Sequence, residues 1–154
     1  MAVRLLNTND RIGAEKYARR AVQLNPSYWH AHAVLGQIAN ERRHTADLTF
    51  NWLDGLAHME TALTLAEQQG LLGLGDEPKI RLNLASLLQE APASAMGPAV
   101  SAEEQAGRAE YHFEKLVSVD EELKVGIHAL GHLIYGSFLE RFSRFREAEL
   151  QYRA

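Results

Sequence analysis

The feature that most limits what this chain can become is the spacing of its small and apolar residues. They recur every three or four positions in almost every segment, and no segment alternates apolar and polar residues as a strand would. In "RIGAEKYARRAVQLNP" Ala14, Tyr17, Ala18, Ala21 and Leu24 fall on one stripe, and Asn25-Pro26 closes it. "SYWHAHAVLGQIANERR" gathers Ala31, Val34, Leu35, Ile38 and Ala39 in the same way, with Ser27 placed as an N-cap. The same spacing predicts a long helix from Thr45 to about Gln69, another after Pro78, one from near Ala102, a long one through "DEELKVGIHALGHLIYGSFLERF" and a last one capped by Ser143. "GLLGLGDEP" and "APASAMGPAVSA" are the breaks, rich in glycine, proline and small residues. The expected fold class is therefore all-α.

Composition narrows the function classes. A chain of 154 residues fits one domain, large enough to bury about 68–70% of the surface that its unfolded form exposes. Hydrophobic residues make up 46% and charged residues 23%, which points away from disorder. No apolar run approaches the roughly 18 residues of a spanning helix, so no membrane partner is expected. The formal net charge is −4 and the basic residues are scattered, which argues against a nucleic-acid surface. With no cysteine, disulfides, thiolate metal sites and a cysteine nucleophile are excluded. "MAVRLLNTND" lacks the apolar core and cleavage site of a signal peptide, so a cytoplasmic setting is expected.

The helical segments also repeat. Ala14, Ala18, Ala21 and Pro26 stand where the second helix of a tetratricopeptide repeat carries its small residues and closing proline, and His32, Leu35, Gly36 and Ala39 occupy the places of the first-helix signature W-x2-L-G-x2-Y. The register continues in first helices as Arg81, Leu84, Ala85 and Leu88, then Ile127, Leu130, Gly131 and Ile134. Second helices follow as Gly55, Met59 and Ala62, then Ala109, Phe113 and Leu116, then Ala148 and Tyr152. The chain thus resembles the tetratricopeptide repeat (TPR) family, in the longer variant of kinesin light chains, since its repeats are wider than the standard unit of about 34 residues. The resemblance implies antiparallel helix pairs stacked into a right-handed superhelix, an α-solenoid. It implies one domain over residues 1–154, with about three to four partly irregular repeats, incomplete at both ends and open there to self-association.

What the resemblance implies for function is a scaffold that binds a partner protein or peptide in its concave groove, without catalysis or cofactor. The second, fifth and ninth places of each first helix face that groove in the family. They fall on His30, Ala33 and Gln37, on Lys79, Leu82 and Ser86, and on Val125, His128 and His132, with Asn83 added at a sixth place. Lys79 and Asn83 are similar to part of the clamp with which family members hold acidic chaperone tails. The flanking repeats supply His and Gln in place of a second cation, which suits a mixed polar groove for a peptide or helix. The alternative is a regulatory or substrate-presenting arm of a larger enzyme or transcription regulator.

"IHALGHLIYG" offers a third reading, because His128 and His132 stand four apart, the spacing of two imidazole ligands on one helix. A zinc-protease helix would need a glutamate where Ala129 stands, and the sequence places no third ligand. Metal binding is the weaker alternative, and Leu130-Gly131 is expected to be a packing pair. "GLLGLG" lacks the phosphate-cradling spacing, no G-x-S-x-G is present, and Trp29 and Trp52 read as packing residues. Nothing assembles an active site.

Overall fold

The computed structural model describes residues 10–42, 51–70, 76–92, 96, 100–118 and 127–154, the side chain of His128 excepted. Among these residues there are seven helices and no strand: α1 (Arg11–Leu24), α2 (Trp29–Arg42), α3 (Trp52–Gln68), α4 (Glu77–Glu90), α5 (Ala102–Val117), α6 (Ile127–Arg141) and α7 (Phe145–Arg153). The helix expected from Thr45 instead begins at Trp52, behind an extended Asn51, while residues 43–50 and the segment expected to precede α6 lie outside the described residues. No helix among them is long and apolar enough to cross a membrane.

The helix ends follow local chemistry. Asp10 accepts from the Gly13 amide at 2.9 Å, Asn51 from Leu53 at 3.0 Å and Ser101 from Glu104 at 3.0 Å, so three helices begin on side-chain caps. Ser143 does a different job from the one expected. With φ of 59° it terminates α6: its amide donates to the Glu140 carbonyl at 2.9 Å and the Arg144 amide to Leu139 at 3.0 Å. That is the left-handed C-terminal motif in which glycine is usual.

Each helix packs against the next, and α2 also touches α4 as α4 touches α6. The three form a continuous layer, with α3 wedged against α2 and α4, and α5 against α4 and α6. With neighbours α1, α3 and α4, helix α2 buries nearly its whole circumference, from Trp29 and Ala31 to Val34, Leu35 and Ile38. Ala14 and Ala18 join α1 to α2 in a small cluster. The main core runs from Met59 through Leu84, Leu87 and Leu88 to Phe113 and Phe138. Each such side chain contributes about 1.5–3 kcal/mol by leaving water. Phe113 lies 5.4 Å from the rings of both Tyr135 and Phe138, which ties α5 to α6.

Close helix contacts fix the register, and they correct one expectation. A Cβ placed on Gly36 would overlap the Met59 side chain of α3, the helix that follows α2. In α6 the equivalent residue is Gly136, whose added Cβ would overlap Tyr152 of the following helix α7. Gly131 instead faces backwards, where an added Cβ would come within 2.8 Å of Leu116 of α5. His132, Tyr135 and Gly136 of α6 therefore stand where His32, Leu35 and Gly36 stand in α2. Tyr135 and Leu139 are 5% and 1% exposed, whereas Leu130, expected in the core, is 44% exposed.

Candidate binding groove

With α2, α4 and α6 aligned in this way, the fourth place of each, counted from Trp29, Pro78 and Ala129, carries a polar side chain that bridges to the helix after it. His32 sits 3.0 Å from His58, Arg81 sits 3.3 Å from His112, and His132 sits 2.8 Å from Gln151. His58, His112 and Gln151 each stand just before the matching Met59, Phe113 and Tyr152. A carbonyl can only accept, so His32 Nε2–H donates to the Pro26 carbonyl at 3.0 Å, leaving His32 Nδ1 to accept from His58 Nδ1–H. Arg81 can only donate, so His112 Nδ1 is the acceptor there. His132 Nδ1–H donates to Gln151 Oε1.

The electrostatics follow from burial. Desolvation holds the His112 ring down at about 4, reinforced by the charges of Arg81 and Arg108. His58 is also lowered by burial, against the pull of Asp54, whose carboxylate is 3.6 Å away. Arg81, only 5% exposed, is held by Glu77 at 2.6 Å. Burial beside Glu110 pushes the Tyr135 phenol well above its ordinary range, with its hydroxyl 3.2 Å from that carboxylate. Glu110 also accepts from Arg144 at 2.5 Å. The Glu77–Arg81 and Asp54–His58 pairs each lie within one helix, and the Glu110–Arg144 pair joins α5 to the residue before α7.

The second, fifth and ninth places differ in exposure from one layer helix to the next. In α2, Ala33 is half-buried, Gln37 is exposed and bonded to Glu41 at 3.2 Å, and His30 stacks on Trp29 at 3.5 Å. The His30 Nδ1 atom is buried without a partner. In α4, Lys79 is exposed and 3.6 Å from Asp76, Leu82 and Asn83 are half-buried, and Ser86 is buried. Asn83 joins the two helices, accepting from Asn40 of α2 at 2.5 Å while its own amide donates to the Lys79 carbonyl.

In α6 these places are Leu130, Leu133 and Ser137, all exposed, with Ile134 half-buried beside them. The tetratricopeptide register expected from the sequence places His128 and His132 there instead. His132 belongs to the bridge with Gln151, and the side chain of His128, like Val125, lies outside the described residues. The signal that would have located Leu133 and Ser137 is the repeated His-x2-Leu/Tyr-Gly pattern.

Between α4 and α6 the layer opens into a cleft of about 460 Å³. Helix α4 contributes Ser86, Gln89 and Glu90 to it; α6 contributes Leu133, Ile134 and Ser137, and Tyr152 of α7 closes one side. A larger cavity of about 680 Å³ lies where the end of α4 meets the start of α5 and the end of α6. Its Glu110 and Arg144 already pair with each other. Among the described residues no three His, Asp or Glu side chains converge to hold a metal ion. No protein-family model matches the chain, and comparison with curated proteins and with solved structures returned no match.

Proposed function

We propose that this chain is a protein-interaction scaffold built as a TPR-like α-solenoid, which receives a peptide or a helix of a partner protein across the layer of α2, α4 and α6. The observation that carries this reading is the contact of α2 with α4 and of α4 with α6, which joins the outward places of three helices into one surface. That surface is mixed: Gln37, Asn83 and Lys79 at one end, Leu130, Leu133 and Ser137 at the other, with the cleft between α4 and α6. Its side chains stand on helices joined by part-buried bridges, so little ordering entropy is lost when a partner docks.

Random peptides displayed on phage and panned on the whole chain test the reading. Binders should be recovered that lose affinity for Leu133→Glu and Gln37→Arg variants, both altered at exposed positions. Failure to recover binders, or binders indifferent to both substitutions, would refute it.

A further inference from the structure

We infer that α1 and α5 carry complementary faces through which two copies of this chain associate, α1 of one copy lying on α5 of the other. The contact uses neither the layer of α2, α4 and α6 nor its cleft, and so stands apart from the peptide-binding reading above. Helix α1 turns only Ala14 and Ala18 fully into the protein. Elsewhere on it Ile12 and Leu24 are 80% and 71% exposed, the two most exposed large apolar side chains among the described residues. Between them, at successive steps of four, stand Lys16 and Arg20, both exposed. The other cations of α1 are paired, Arg11 with Glu41 at 2.7 Å and Arg19 with Glu15 at 2.9 Å. Arg20 reaches the Gln23 amide oxygen at 3.2 Å, and among the described residues neither it nor Lys16 is in an ion pair with a carboxylate.

Helix α5 shows the reverse charge. It buries Gln105, Ala109, Phe113 and Leu116. Away from these lie Glu103, Gly107, Tyr111 and Glu114, spaced four, four and three and all exposed, with Glu104 beside them. Among the described residues none of these three carboxylates is in an ion pair, whereas Glu110 on the flank is held by Arg144. The stripe contains a glycine, a residue that weakens a helix interior. Packing within the chain does not account for it, because a Cβ added at Gly107 would meet nothing within 4 Å. A second helix crossing closely does account for it, since the missing side chain leaves a hollow into which a facing ridge settles.

The two stripes match in length as well as in charge. At about 1.5 Å per residue, Ile12 to Leu24 spans about 18 Å and Glu103 to Glu114 about 17 Å. Laid together, Lys16 and Arg20 rest their methylene stems over Gly107 and Tyr111 and extend their heads to the carboxylates on either side. Ile12 and Leu24 leave water in the same contact. Within one chain the faces are held apart, because α1 packs on α2 while α5 packs on α4 and α6. A second copy brings them together. The contact joins two different faces, so each copy keeps one of each open and association proceeds stepwise unless a ring closes.

The test is sedimentation velocity on the whole chain. At about 50 mM salt the average mass should rise above that of one chain between about 5 and 500 µM, and about 500 mM salt should weaken the association about tenfold. A Lys16→Glu/Arg20→Glu chain and a Glu103→Lys/Glu114→Lys chain, altered only at exposed positions and checked by their melts, should each sediment as single chains. Mixed together they should associate again, because each now offers the charge that the other lacks. A parent of single-chain mass at every concentration, association that persists in either reversed chain alone, or a mixture that stays dissociated would overturn the inference. A monomeric parent that instead binds phosphatidylserine vesicles or polyglutamate through Lys16 and Arg20 would give α1 a different occupant and overturn it too. Each of these outcomes leaves the scaffold reading to its own test.

Discussion

Replacing His112 by glutamine tests whether the bridge between α4 and α5 is built on a neutral imidazole. The Arg81 guanidinium donates to His112 Nδ1 at 3.3 Å. Protonating that nitrogen would therefore set two cationic N–H groups against each other in a half-buried site. Burial and the two nearby arginines hold the ring at about 4 in the folded chain, against an ordinary value of 6.5. As pH falls through 6.5 the unfolded chain takes up this proton and the folded chain does not, so stability drops until about pH 4 and then levels. At about 1.4 kcal/mol per pKa unit the drop would be about 3 kcal/mol, and solvent screening of a half-buried ring reduces it to about 2 kcal/mol. Glutamine can still accept from Arg81 but does not titrate. Urea unfolding followed by circular dichroism, between about pH 7 and about pH 4.5, should show the parent losing stability relative to His112→Gln by about 2 kcal/mol. A difference between the two chains that stays flat with pH would refute the reasoning.

Other substitutions probe the packing. The buried Gln105 donates to the Leu88 and Ala91 carbonyls, each at 2.6 Å, and so satisfies the end of α4 from α5. Gln105→Met keeps the shape and strands both acceptors, which should cost about 2–4 kcal/mol in urea unfolding. Gly36→Ala should lower the melting temperature, because its new methyl meets the fully buried Met59, and overpacking of about 1–3 kcal/mol exceeds the gain in helix propensity. Gly107→Ala, where an added Cβ meets nothing within 4 Å, should instead raise stability by about 0.5–1 kcal/mol. Ser143→Gly should raise it by a similar amount, by relieving the left-handed residue that ends α6; an unchanged melt would show that serine bears no strain there.

Much of the fold was legible because helical periodicity is local. The stripe Ala14, Ala18 and Ala21 and the pair Leu35-Gly36 identify α1 and α2 with no knowledge of their neighbours. The register of α6 was not legible in the same way. "IHALGHLIYG" contains two residue pairs ending in glycine, Leu130-Gly131 and Tyr135-Gly136, and both glycines mark close approaches. Five residues turn a helix by about 140°, so choosing the first pair moved the outward stripe from Leu130, Leu133 and Ser137 to His128 and His132. Only the neighbours distinguish them, Leu116 of α5 behind Gly131 and Tyr152 of α7 beside Gly136. Ser143 was misassigned for a related reason: serine is common as an N-cap, and nothing in its neighbourhood announces a positive φ.

The three bridges also give the molecule a direction. In a structure whose units touch mainly their neighbours, stability is close to a sum of local terms. The first two bridges each contain an imidazole whose charged form is disfavoured by burial, His58 beside His32 and His112 beside Arg81. The third joins His132 to the side-chain amide of Gln151. Acid should therefore cost stability where α2 meets α3 and where α4 meets α5. Loosening would then start in the part of the layer that carries Gln37, Lys79 and Asn83.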